Sequence, residues 1–441
     1  LGIFAGIART VNEKSTYNWR VILLIVSLTE LFIGGGGRFI VLGPLTFRMW
    51  LFGLTQAVVW WSIFTGQYKP SKQVYRLIGL FFGLTGLAAL NGYLSGAPIK
   101  LILTDVKPLL FWLNLLFYGM VIVSSREVAL VRACLKWSAA FLALGYLILL
   151  LLWRFDVVHG FTFYMLTSPT EELSFRGSLG FFSKAFIFLP IGIFFWLQEK
   201  TYRKFFWIFI IYLAILLTFT RGFWLLIFGI HLVYTVFFNH RNLISWLAIV
   251  LMLTSLFSVG LYVRQVDQQN FPELMYFQQE SVKRYEARDL KPWQRALSGK
   301  FSQGFEARES SIIDRIIQIG EVEDFLSPRS VLIGNGFGMG IPSRPIHMEI
   351  SYLEIFHKQG ILGLLLWGWL FWCLVRSFLV VIGDRVRRST LFHEDAFVFL
   401  VAALFMFGIS FLNPFINSPM GLGMLAISLV CLNVKRNEVA P

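Results

Sequence analysis

A chain of 441 residues that is 56% hydrophobic, 17% aromatic and only 15% charged has too little polar surface to clothe a soluble core. Its mean hydropathy of +0.67 and the apolar runs that recur from Val21 to Val434 describe a polytopic helical membrane protein instead. The net charge of +14 invites a nucleic-acid reading, but the placement of the cations along the chain argues against it.

Hydropathy predicts twelve spans. The first, near 21–37, ends in Gly34 to Gly37, a run that weakens a helix and marks a break or a re-entrant bend. It carries Glu30, a candidate ion-pair partner for Lys184 or Arg38. Spans follow at 46–65, 77–96, 108–124 and 134–153. The sixth, 177–198, holds Lys184 near its outer end. The seventh and eighth, 205–220 and 222–238, meet with almost no loop between them. Arg221 at that junction lies close to bilayer depth, where a cation is costly unless partnered. His231 in the eighth span reads as a packing residue. A ninth span is expected at 243–263 and the last three at 359–382, 395–412 and 417–434.

Lys and Arg in the short loops set the orientation. One side carries Lys14, Arg20, Lys69, Lys72, Arg126, Arg132, Lys200, Arg203, Arg385, Arg387 and Lys435, while the other is poorer at every crossing. Both termini are therefore expected in the cytoplasm, and most of the net charge is a topology signal. The N-terminal segments read as mature spans rather than a cleavable signal peptide. Cys134, Cys373 and Cys431 lie in or beside apolar runs, so neither a disulfide framework nor a zinc site is expected.

This topology divides the chain into helices 1–9 over 1–263, a large outer loop over 264–358 and helices 10–12 over 359–441. The loop is far longer than a connector needs to be. Within it, SSIIDRIIQIGEVEDFL predicts an amphipathic helix that opens on Ser310 and Ser311 and lays Ile312, Ile316 and Ile319 on one stripe. GNGFGMG at 334–340 lacks a preceding strand and a following GK[ST], so it reads as a flexible turn rather than a nucleotide loop. Arginines crowd this side: Arg288, Arg315, Arg329 and Arg344 lie in the loop, with Arg221 between two spans. Their forked donors suit phosphate, so a basic outward cavity at the membrane suits an anionic lipid head group. At the end of the loop His347, Glu349, Glu354, His357 and Lys358 stand directly before an apolar run. Glu354 and His357 are read as surface or pairing residues, and Tyr352 as a candidate for stacking on sugar.

Three motifs, in order, resemble the O-antigen polymerase and O-antigen ligase superfamily. TFTRGFWL is similar to that family's Ser/Thr-Arg-Gly turn, SIIDRIIQIGEVEDFLSPRSVLIGNGFGMG to its Ser-x-x-x-Arg helix and Gly-rich segment, and ISYLEIFHKQGILGLLLW to its entry into the next span. The resemblance covers residues 215 to 370 and implies a GT-C-like, all-α enzyme of the bacterial inner membrane, its site facing the periplasm. Ligases of the family carry His-Asn, nine residues and Gly-x-x-Gly. Counting back from Gly360 and Gly363, the His position falls on Glu349 and the Asn position on Ile350. His347 is two residues early, which favours the polymerase over the ligase.

The resemblance implies transfer of a glycan from undecaprenyl pyrophosphate to a sugar hydroxyl of another lipid-linked repeat unit, by one inverting displacement without metal or other cofactor. Arg221 and Arg315 are the leading diphosphate ligands, followed by Arg288, Arg329, Arg344 and Lys184. Glu349 is the first candidate for the base and His347 the second. Tyr352 is the candidate for acceptor binding. The expected partners are the lipid-linked oligosaccharide, the bilayer and a chain-length regulator, and not nucleic acid. A lipid-oligosaccharide flippase is the reading of another class, but it favours midplane charges and internal repeats, and the ionisable groups gather outside instead.

Overall fold

The computed structural model describes residues 17–43, 45–155, 157–158, 172–175, 181–199, 201–218, 223, 227, 310–385, 395–411 and 413–439. These residues are mostly helical. In chain order the helices are α1 (Tyr17–Ile33), α2 (Phe47–Phe64), α3 (Lys72–Leu94), α4 (Ile99–Leu109), α5 (Asn114–Val121), α6 (Ser125–Arg154), α7 (Phe188–Leu197) and α8 (Arg203–Leu217). They continue as α9 (Ser310–Asp324), α10 (Pro328–Ile333), α11 (Ser351–Arg385), α12 (Asp395–Ile409) and α13 (Pro419–Val439). Among the described residues, four stretches are long and apolar enough to cross a membrane: Lys72–Leu94, Ile99–Val121, Ser125–Arg154 and Ser351–Leu379. Lys184–Leu197, Phe397–Ile409 and Pro419–Val434 are shorter apolar helices. The spans expected at 222–238 and 243–263 fall almost wholly outside the described residues, as does His231.

Local chemistry fixes several starts. Ser71 accepts a hydrogen bond from the Val74 amide at the head of α3. Ser124 and Glu127 form a reciprocal capping box that opens α6. Pro108 lacks the amide that would continue the ladder, and the chain passes from α4 to α5 through a 3-10 turn at Leu110–Leu113. The core forms where α6 packs on α1, α7 and α8, and where α12 lies between α11 and α13.

Three expectations change here. The sixth span was expected to be helical from 177, yet Leu173–Phe175 and Phe181–Ser183 form an antiparallel pair, and α7 begins only at Phe188, after a 3-10 turn over Lys184–Ile187. Hydropathy alone does not tell a buried strand from the end of an apolar helix. Glu30 pairs with neither expected partner in a salt bridge described here; its carboxylate holds the Arg48 guanidinium at 2.7 Å. The glycine run does break the helix. Gly35 and Gly37 take φ of 58° and 85°, and the turn presents the Gly36 and Arg38 amides to the buried carboxylate of Glu172.

GNGFGMG also departs from its expected flexibility. Gly334, Gly336, Phe337 and Gly338 are buried, and Gly334, Gly336 and Gly338 have φ of 76°, 94° and 79°. The segment lies backbone to backbone against α3, with the Phe337 amide donating to the Ala88 carbonyl at 2.9 Å. A Cβ on Gly92 would stand 2.0 Å from the Phe337 carbonyl oxygen. Gly92→Ala is therefore expected to prise the segment from α3 at a cost of about 1–3 kcal/mol, read as a lower melting temperature of the detergent-purified protein.

Candidate functional site

The site is built where α10, the glycine segment and the first half of α11 meet α3 and α4. Ser327 caps α10 in a reciprocal arrangement with Ser330, and the helix ends at Gly334. α11 is interrupted at Gly360, whose φ of 66° and ψ of −161° are not helical. That break releases carbonyls of the preceding turn from their usual partners. The His357 and Lys358 carbonyls accept instead from the Asn335 and Gly336 amides, at 2.7 and 3.1 Å. Asn91 on α3 fastens the other edge, donating to the Gly334 carbonyl at 2.8 Å and accepting from Arg329. Arg329 is thereby engaged with a helix rather than projecting alone into an outer cavity.

The first half of α11 carries a buried ionic cluster. Lys358 is 2% exposed. Its Nζ donates to Asp105 Oδ1 at 2.8 Å, to Glu354 Oε1 at 2.7 Å and to the Ile346 carbonyl at 2.6 Å. An ammonium has three N–H donors, so all three are used. Asp105 Oδ2 accepts from the Gly338 amide at 2.8 Å, which ties the glycine segment to α4. At the exposed edge of the cluster His347 Nδ1 lies 3.2 Å from Glu354 Oε1. The His347 side chain is 47% exposed, against 6% for Glu354. An ionised carboxylate only accepts, so Nδ1 carries the hydrogen, and in the neutral ring Nε2 is then the nitrogen with the lone pair.

Ligand atoms of Asp105, His347 and Glu354 all lie within 4.8 Å of one another, a spacing a metal ion could use. The ammonium of Lys358 is already the cation between the two carboxylates. A grouping of this kind was not expected from the sequence, because Asp105 is remote from the other two along the chain.

A second cluster lies two residues along from His347. Glu349 Oε1 accepts from Arg344 Nη2 at 2.6 Å, and its Oε2 lies 3.5 Å from Arg315 Nε. Arg344 also stands 3.7 Å from Asp314, and the Glu349 amide donates to Gln318 Oε1 at 2.9 Å. Arg315 and Arg344 thus form a half-exposed cationic pair gathered round one carboxylate. These contacts reset the face of α9. Ile317 and Val322 are buried while Ile319 is 44% exposed, so the expected stripe through Ile319 is not the packed one. Glu321, bonded to Ser343, and Gln318 lock the turn before α11 and choose the rotation of the helix.

Of the remaining sequence candidates, Tyr352 donates its hydroxyl to the Phe407 carbonyl at 2.8 Å, and its ring lies 4.3 Å from that of Phe411. Lys184 opens the 3-10 turn that follows the Phe181–Ser183 strand, its amide donating to the Glu172 carbonyl at 3.4 Å. Arg221 and Arg288 lie outside the described residues. Sequence reasoning missed Asp105 and Asn91, singled out Lys358 without giving it a role, and left Glu354 and His357 open between surface and pairing; both are buried. The spans expected at 77–96 and 108–124 leave Asp105 between them. The helix starts at Ile99, which puts a carboxylate inside a membrane-crossing stretch. That would have been the signal.

Comparison with known proteins finds no matching family model and no matching solved structure. An O-antigen polymerase of Shigella flexneri is 27% identical over 413 residues, spanning 90% of this chain and 91% of that protein. This homologue supports the O-antigen polymerase and ligase family. The alignment reaches well beyond the three motifs at 215 to 370 that first suggested the family.

Proposed function

We propose that the chain is a polysaccharide polymerase of the bacterial inner membrane, joining lipid-linked repeat units at its periplasmic face, with both termini in the cytoplasm. Its donor is a glycan on undecaprenyl pyrophosphate, and its acceptor is a sugar hydroxyl of a second lipid-linked unit. The nearly full-length similarity to an O-antigen polymerase supports a glycosyltransferase of the polymerase kind. The observation that carries the reading of the site is the exposed imidazole of His347 backed by buried Glu354, two residues along the chain from Glu349, which gathers Arg315 and Arg344.

In this reading His347 is the base, ahead of Glu349. The acceptor proton moves to Nε2 while the hydroxyl oxygen forms its bond to the anomeric carbon. The bond from that carbon to the diphosphate oxygen breaks, and its electron pair leaves on the lipid diphosphate. A single displacement of this kind inverts the anomeric centre. Glu354 holds the ring in one orientation and favours the imidazolium that forms. Glu349 accepts from the Arg344 guanidinium and is ion-paired with Arg315, which suits it to arranging them rather than to taking a proton. Arg315 and Arg344 supply cationic, forked donors to the departing diphosphate, with Arg221, Arg288, Arg329 and Lys184 as further candidates. Tyr352, beside Phe411, offers aromatic surface to the acceptor sugar.

Arg344→Ala and Arg315→Ala are expected to raise KM for the lipid-linked donor and to lower kcat, and lysine at either position is expected to restore little, since it lacks the planar fork. Steady-state kinetics in nanodiscs check this. The activity itself is tested with purified protein and lipid-linked repeat units. Ladders without a second acceptor support the polymerase; ladders or transfer only after a lipid A-core acceptor is added support a ligase instead. Uptake of intact lipid-linked units into vesicles, with no new glycosidic bond, would favour a flippase.

A further inference from the structure

We propose that Asp105 is a positioning residue that sets the charge balance of the proton acceptor, acting on His347 through Lys358 and Glu354. The inference rests on the reading of His347 as the base. Asp105 uses both oxygens as acceptors, one from Lys358 and one from the Gly338 amide, as an ionised carboxylate does. Glu354 Oε1 accepts from the same ammonium and faces His347 Nδ1. The side chains of Asp105, Glu354 and Lys358 are 4%, 6% and 3% exposed. Two negative charges therefore stand against one positive charge in a nearly dry site, where an unbalanced charge is poorly screened.

His347 is the group placed to close that balance. As its Nε2 takes the acceptor proton, Nδ1–H stays on Glu354 and the four side chains together become neutral. The remote carboxylate on α4 thus supplies the charge that favours imidazolium at the moment the new glycosidic bond forms. With Asp105 neutral, Glu354 and Lys358 already cancel and the drive toward imidazolium is lost. An architectural role, pinning the glycine segment through Gly338, makes a different prediction, because asparagine keeps an oxygen for that amide.

The test is steady-state polymerisation by the full-length protein in nanodiscs with lipid-linked repeat units. Asp105→Asn is expected to lower kcat by ~10–100-fold, the usual effect of removing a partner that acts on a ligand or base from behind, with KM for the donor unchanged. The double variant Asp105→Asn, Lys358→Gln returns the cluster to one net negative charge on Glu354 and leaves no buried ammonium. It is expected to recover kcat relative to Asp105→Asn. Unchanged kcat in Asp105→Asn, or a double variant no faster than the single one, overturns the proposal. Should Asp105→Asn fail to fold, the double variant is compared with the native protein: kcat within about tenfold supports the proposal and a larger loss refutes it. Full activity in His347→Ala would instead sink the base assignment itself, so the two failures are distinguishable.

Discussion

His347→Ala is expected to slow polymerisation by roughly 10²–10⁴-fold, the range contributed by a positioned proton acceptor, while donor binding is little changed. The imidazole is half-exposed at the mouth of the site and its Nδ1 is fixed on Glu354, so one nitrogen is bound and the other is available. Alanine removes the acceptor without stranding a buried charge, because Glu354 remains paired with Lys358 at 2.7 Å. Glu349→Gln is the companion experiment. Its carboxylate bridges Arg344 and Arg315, so loss of charge is expected to loosen the arginine pair and raise KM for the donor more than it lowers kcat. Full kcat in His347→Ala together with its collapse in Glu349→Gln would reverse the two roles.

Lys358→Met is expected to be the most destabilising single change in the site, at about 3–5 kcal/mol, because breaking a buried ionic group leaves uncompensated charge behind. Asp105 and Glu354 would both face an apolar thioether, the Ile346 carbonyl would lose its donor, and the Asp105 link to Gly338 would have nothing to balance it. The loss is expected as a marked fall in melting temperature and in the yield of monodisperse protein from detergent. A native-like melting curve would mean that the two carboxylates had taken up protons in place of the ammonium. Lys358→Arg is the milder control, since it preserves the charge and changes only shape.

The amino-acid sequence by itself determined that this chain is a helical membrane protein, because apolar runs of that length have no other stable solution in a bilayer. It also determined that α1 stops before Gly34, since glycine supplies the positive φ that Gly35 and Gly37 adopt. The importance of the stretch from 341 to 358 was visible too, as ionisable residues packed against an apolar helix are rarely idle. Which of them faces which was not visible. Asp105 lies far from Lys358 along the chain, and only the tertiary fold, with α3 packed on both α4 and the broken helix α11, brings their atoms to 2.8 Å. Glycine segment 334–340 read as loose, because close backbone approach to Gly92 and Gly360 is a property of the packed state. The face of α9 was misjudged for a related reason: Gln318 and Glu321 are turned inward by polar partners at Glu349 and Ser343, which outweigh the apolar periodicity. Short-range chemistry writes helices, breaks and caps into the chain. Pairing of buried charges depends on tertiary proximity, and it was decided only when the apolar helices and the segment at 310–358 packed together.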